Sequence, residues 1–143
     1  MRTFSIEEAN RLVPFLQHTF EEVRAAMVLA AQLTEQLAAR GDASPPGAIV
    51  PEELPADHRQ MREARDEAVQ RIREGIGSVL EQGIEVKRPD GLVDFPTRRS
   101  GRPVHLCWRF GETSISHWHE LAEGFGGRRA IENPGRFEQA FLN

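Results

Sequence analysis

The chain has one cysteine among 143 residues, so no disulfide can form within it, and cysteine usage does not mark an oxidising compartment. It has no run of about 18 apolar residues and no charged-then-apolar leader, which removes the sequence marks of a membrane span and of export. A reducing cytoplasm is the expected location. A basic excess is missing too: the net charge is −4, with nine Lys/Arg against 14 Asp/Glu in residues 1–83 and nine against eight in residues 84–143. Nucleic-acid binders usually present a strongly basic face. The local group Lys87, Arg88, Arg98, Arg99, Arg102 and Arg109 does not amount to one, so nucleic acid is not an expected partner, whereas a small anionic ligand is. Cys-x-x-Cys, His-Glu-x-x-His, a Walker loop and a dinucleotide fingerprint are all absent, which removes the common zinc-ribbon, zincin and nucleotide-binding signatures.

What is present is a length suited to one domain, 1–143, able to bury roughly two-thirds of the surface its unfolded form exposes. Ser5 followed by Glu8 is a capping box that predicts a helix start. From there Ile6, Val13, Phe20, Met27 and Thr34 recur every seven residues, with Ala9, Leu16, Val23, Ala30 and Leu37 three further on. This is a coiled-coil-like heptad seam that ends at Arg40-Gly41, where glycine suits a helix stop. Pro14 predicts a kink near Asn10 or a restart of the helix. Pro45, Pro46, Pro51 and Pro55 place a loop over 41–55, expected to be poorly ordered in its first half. A second helix is predicted from Ala56 to Gln82. Met61, Ala64, Ala68, Ile72, Ile76, Val79 and Leu80 form its apolar positions, while Arg59/Glu63, Arg62/Asp66 and Glu67/Arg71 lie on its wet side.

The predicted fold is thus α+β: a long antiparallel helical hairpin over 5–83 followed by a small three- to four-stranded antiparallel sheet over 84–128, then a tail, 129–143, with an amphipathic turn at Arg136 to Leu142. Leu12, Phe15, Leu29 and Leu33 lie off the seam and call for a cover, either the C-terminal half or a second copy. Self-association as a dimer through the N-terminal helices is therefore expected.

In the sheet region Ile84-Glu85-Val86 is a short strand, Arg88-Pro89-Asp90-Gly91 a turn, and Leu92 to Phe95 a second strand ended by Pro96, followed by a basic loop over Thr97 to Arg102. Gly111-Glu112 suits a type II′ hairpin turn between Val104 to Phe110 and Thr113 to Glu120. That turn sets Trp108 opposite Ile115, Leu106 opposite His117 and Val104 opposite His119. Val104, Leu106, Trp108, Phe110, Ile115, His117 and His119 then share one face. His105, Cys107, Arg109, Ser114, Ser116, Trp118 and Glu120 share the other. A competing reading makes Ser114 to Ala122 helical.

Phe4 to Asn10, Asp94-Phe95-Pro96, Leu106-Cys107-Trp108, Gly111-Glu112, Ile115, Trp118-His119, Gly124-Phe125 and Gly127-Arg128 together resemble the bacterial domain of unknown function family 2203 over nearly the whole chain. The resemblance implies no activity.

Candidate chemistry rests on residue types. His117-x-His119 on a strand puts two imidazoles on one face, a spacing that serves a divalent metal such as zinc if a third ligand arrives. Glu112, Asp94, Glu120 and Cys107 are the candidates, with His117, His119 and Glu112 the leading set. Glu112, His119 and Glu120 are the acid–base candidates. Trp108, Arg109, Trp118 and Arg128 are the ligand-binding candidates, with Arg128 after Gly124, Gly126 and Gly127 placed to clamp an anion. Cys107 as a nucleophile would need a base and a positive environment; His105 and Arg109 share its predicted face, whereas His117 and His119 lie on the other, and simple packing is the commoner role of such a residue. Three functional readings follow: a small-ligand-binding module with a His/Glu/Arg pocket, an acid–base or metal-assisted enzyme using the same pocket, and a self-associating scaffold.

Overall fold

A computed structural model describes residues 2–139. The expected turn at Arg136 to Leu142 lies partly outside them; inside, Pro134–Arg136 is a short 3-10 turn. The described chain divides into two compact units, Met1–Phe20 with Ile76–Asn143, and Glu21–Gly75.

The capping box forms as expected: Glu8 N–H donates to Ser5 Oγ at 3.0 Å and Ser5 N–H to Glu8 Oε1 at 3.2 Å. It opens α1, Ile6–Arg11, and after a one-residue break at Leu12 the helix restarts as α2, Val13–Ala39. The break follows from Pro14, which has no N–H to offer the Asn10 carbonyl. At the far end Gly41 takes φ +78, with Asp42 N–H donating to the Leu37 carbonyl and Gly41 N–H to that of Ala38, a Schellman stop. The third helix, α3, covers Ala56–Glu81.

In the unit Glu21–Gly75 the seam of α2 packs as its spacing predicts, with Val23, Ala30 and Leu37 buried, but Thr34 is exposed and Ala26 replaces Met27 as the buried residue of its turn. Val28 and Leu29 stay exposed. Arg62 lies on the wet side in the sequence reading, yet it is buried. Its Nε lies 3.7 Å from Asp42 Oδ2, while Asp66 is taken by Arg65 at 2.7 Å. Asp42 also ties down the expected loose part of the loop. It accepts the Ser44 N–H at 3.0 Å, the Ser44 hydroxyl, and a 2.7 Å contact with His58 Nε2. The two Ser44 bonds and then His58 hold its carboxyl far below the ordinary carboxylate range.

The other unit carries the sheet, which is five-stranded in the order β1-β2-β3-β4-β5 and antiparallel throughout, one strand more than the largest number expected. The strands are β1, Glu85–Arg88; β2, Leu92–Arg99; β3, Arg102–Arg109; β4, His117–Glu120; and β5, Arg129–Ala130. Pro96 does not end β2. Its carbonyl accepts the Phe4 N–H at 2.8 Å beyond the end of β1, where a missing proline N–H costs no ladder bond. The strand therefore runs on to Arg99 and turns at Ser100 and Gly101, both at positive φ.

The hairpin register is the main correction. Cys107 pairs with His117, Leu106 with Trp118, His105 with His119 and Val104 with Glu120, one residue away from the pairing a two-residue turn at Gly111-Glu112 would impose. Residues 110–116 form a longer loop, and Ser114 to Ala122 is not helical. Because side chains alternate, the slip moves every residue of β4 to the opposite face. Val93, Phe95, Thr97, Val104, Leu106, Trp108 and Trp118 now share the apolar face. Phe4 packs edge-on against Phe95 at 5.1 Å between ring centroids, and Phe20 lies 6.1 Å from Trp108. Glu85, Asp94, His105, Cys107, His117 and His119 share the opposite face.

Candidate functional site

That second face carries an unusual concentration of buried polar groups. Asp94 is 3 % exposed, His105 8 %, His119 2 % and Cys107 1 %. A carboxylate is almost never this buried without partners, and two imidazoles supply them: His119 Nε2 lies 2.9 Å from Asp94 Oδ1 and His105 Nδ1 3.5 Å from Asp94 Oδ2. The two rings meet edge to face with centroids 5.3 Å apart. Asp94 and Cys107 are direct cross-strand partners, which brings the thiol to the same point. One ligand atom from each of Asp94, Cys107 and His119 lies within 4.8 Å of the other two.

Outer hydrogen bonds fix the direction in which each imidazole faces. The Glu120 carbonyl, 2.8 Å from His119 Nδ1, can only accept, so Nδ1 carries the hydrogen and Nε2 is turned to Asp94. Glu85 Oε2 lies 3.1 Å from His105 Nε2, which leaves Nδ1 inward, buried and, among the described residues, without a hydrogen-bond partner. Burial would raise the Glu85 carboxyl, but the hydrogen bond from Lys87 and the charges of His105 and Lys87 outweigh it and hold the group below its usual value, as suits an acceptor. The Cys107 thiol is pushed up to about 12 by burial, with the Asp94 charge adding and Arg128 opposing. A free thiol in this state is a poor nucleophile, so the chemistry open to it is ligation of a cation strong enough to displace its proton.

The remaining candidates fall elsewhere. Glu112 accepts the Arg109 N–H at 2.7 Å and Arg128 Nη2 at 2.5 Å, so Glu112 and Arg128 do meet, but as an ion pair rather than in an open pocket with His119. Phe125 lies under both Arg128 and Arg109, with guanidinium carbons 4.7 and 5.2 Å from its ring centroid. Glu120 holds Arg102 at 2.7 Å. His117 Nδ1 is 2.9 Å from Ser116 Oγ, and His117 stands outside the three-ligand group. Trp108 is fully buried, its indole N–H donating to the Glu112 carbonyl at 2.9 Å. Trp118 is 6 % exposed, with Arg99 and Arg129 at 4.6 and 5.1 Å from its ring centroid. Sequence reasoning named Asp94 and Cys107 as supplementary ligands and His105 only as a neighbour of Cys107 on its predicted face, not as a ligand. The signal that joins them is cross-strand pairing, legible only with the right register.

The fold and this face define an α+β protein with a buried acid–thiol–imidazole cluster on its sheet. The chain belongs to the family described as an uncharacterized conserved protein (DUF2203), whose model matches residues 2–131, in agreement with the motif resemblance. No curated protein and no solved structure matches it.

Proposed function

We propose that this chain is a metal-binding protein whose sheet holds a divalent cation of the zinc class through Asp94, Cys107 Sγ and His119 Nε2, with His105 Nδ1 as the fourth donor. The observation that carries the reading is the convergence of three buried ligand atoms within 4.8 Å of one another. Tetrahedral zinc with nitrogen, oxygen and sulfur ligands at about 2.0–2.3 Å sets its donors roughly 3.3–3.8 Å apart, so the group closes on an ion by shifts of about 1 Å. Charge supports the same reading. A thiolate and a carboxylate balance a divalent cation, and two neutral imidazoles complete a buried site with no net charge, which burial otherwise opposes. Imidazole ligands usually give their other N–H to a carbonyl or carboxylate, the roles that Glu120 and Glu85 are placed to fill here.

Softness argues for zinc over magnesium or calcium, which take oxygen ligands and avoid thiolates. The acid–base reading has less support, because His119 is enclosed and Glu112 and Glu120 are held by arginines. Cobalt(II) titration of metal-free protein tests the proposal. The expected result is one equivalent bound, with a sulfur-to-cobalt charge-transfer band that Cys107→Ser removes and His119→Ala weakens. Protein that takes up no cobalt or zinc at micromolar concentration, or a band that survives Cys107→Ser, overturns it.

A further inference from the structure

On the apolar face, near the edge strand β5, the structure has a concavity of about 260 Å³ whose lining includes Arg99, Trp118, Arg129, Glu132, Asn133 and Phe137. We infer that it binds a compact organic anion, gripped through carboxylate or phosphate oxygens by Arg99 and Arg129. It shares no residue with the proposed metal ligands.

Arg99 carries the inference. The residue as a whole is half-buried, and its guanidinium rests 4.6 Å from the Trp118 centroid and 6.0 Å from that of Phe137, yet among the described residues it has no carboxylate partner. Arg129 stands against the same indole at 5.1 Å, and its charge is shared with Glu123 at 3.3 Å and Glu120 at 3.6 Å. An arginine held against an aromatic surface loses little further freedom when its N–H fork engages an oxyanion. Trp118 and Phe137 are themselves fixed, 6 % and 3 % exposed, in an edge-to-face pair at 5.9 Å. The ring pair thus sets a cation with no carboxylate partner among the described residues beside a partly compensated one, with the Asn133 amide as a neutral donor.

Size and charge narrow the ligand. The volume lies just under the range of about 300–1,000 Å³ usual for small-molecule sites, which suits a short-chain acid or a small phosphate ester. Glu132 in the lining opposes a polyanion, so neither a nucleoside triphosphate nor a nucleic-acid strand fits.

The test is a titration of the full chain with inorganic phosphate and, separately, succinate, at ionic strength held constant with chloride, followed through the indole N–H resonances. The expected result is a saturable shift of the Trp118 signal with at least one of the two, while the Trp108 signal, tied to the Glu112 carbonyl, stays in place. Arg99→Gln weakens the response about tenfold or more, equivalent to loss of one charge-assisted contact, and Arg99→Lys weakens it less. An unmoved Trp108 signal in each variant confirms that the fold is intact; if Arg99→Gln does not fold, Arg129→Gln is read in its place. Chelator and added zinc leave the anion response unchanged, which separates this site from the metal site. The inference fails if neither anion gives a saturable shift, if chloride alone reproduces it, or if Arg99→Gln binds as tightly as the unaltered chain.

Discussion

Replacing Cys107 by serine separates the metal reading from the view that the cluster is a self-sufficient hydrogen-bonded core. Without metal, the thiol is a buried neutral group that donates weakly to Asp94. A serine hydroxyl of similar size makes the same bond, so the metal-free variant is expected to lose no more than about 1 kcal/mol, the net worth of one hydrogen bond. With metal the two chains diverge. Zinc at 100 times its dissociation constant stabilises the unaltered chain by about 2.7 kcal/mol. For a chain of 143 residues, at about 3 °C per kcal/mol, the midpoint rises by about 8 °C. If the serine oxygen weakens binding about a hundredfold, the same zinc concentration equals the new dissociation constant and leaves about 0.4 kcal/mol, near 1 °C. The assay is thermal unfolding of both chains with chelator and with zinc, and chelation should reverse the gain. Equal zinc shifts in the two chains would place the ion elsewhere, and no shift in either would refute the reasoning.

In the unit Glu21–Gly75, Asp42→Asn removes the acceptor that holds Ser44 and His58. The depressed carboxyl of Asp42 contributes stability that is fully present above the ordinary carboxylate value, about 4, and is lost as pH falls through the folded-state value. The amides of the 41–55 loop should therefore lose protection, measured against intrinsic exchange at the same pH, as the pH is lowered below about 4, and already at neutral pH in the variant. A variant loop as protected as the original at neutral pH contradicts this. Gly91 sits at φ +116, and a Cβ there would lie 2.7 Å from Phe110 Cβ. Gly91→Ala should cost about 2–5 kcal/mol through strain and overpacking, against about 1–2 kcal/mol for Gly111→Ala, which has positive φ but open space. Denaturant unfolding compares them, and equal losses would show that the clash is relieved. The exposed Val28 and Leu29 are proposed to seat a second copy. Sedimentation should show a dimer that Val28→Glu with Leu29→Glu makes monomeric, and a monomer at tens of micromolar before mutation ends that proposal.

The helices were legible because their signals are local. Ser5 and Glu8 lie three residues apart, Pro14 removes one N–H, Gly41 supplies one positive φ, and the seam repeats at short spacing along α1 and α2, so each acts regardless of the rest of the fold. Arg62 shows where that locality ends. Its charge and its spacing to Asp66 place it in water, but Asp42, near the start of the 41–55 loop, offers a partner to the buried guanidinium, and no helical periodicity reports a residue outside the helix.

Among the departures of the sheet from expectation, the hairpin register is the one that carries the candidate site with it. Gly111-Glu112 has the composition of a two-residue turn, but Glu112 has other bonds to make. Its side chain accepts the Arg109 N–H and holds Arg128, and its carbonyl takes the Trp108 indole. Ile115 N–H then turns to Asn10 Oδ1 at 2.7 Å, a partner 105 residues away that no hairpin rule contains. These contacts stretch the connection and move the register by one residue. In a sheet a slip of one is a change of face, so the expected two-residue turn puts His119 on the side opposite Cys107, where the observed register puts them together. The same rule runs forward. Once Cys107 is opposite His117, alternation requires His105 opposite His119 and Asp94 beside both, and the cluster follows from pairing alone. Within such a sheet the metal reading therefore stands on register, and an insertion of one residue in 110–116 that shifted β4 back would abolish cobalt binding while leaving every ligand in the sequence.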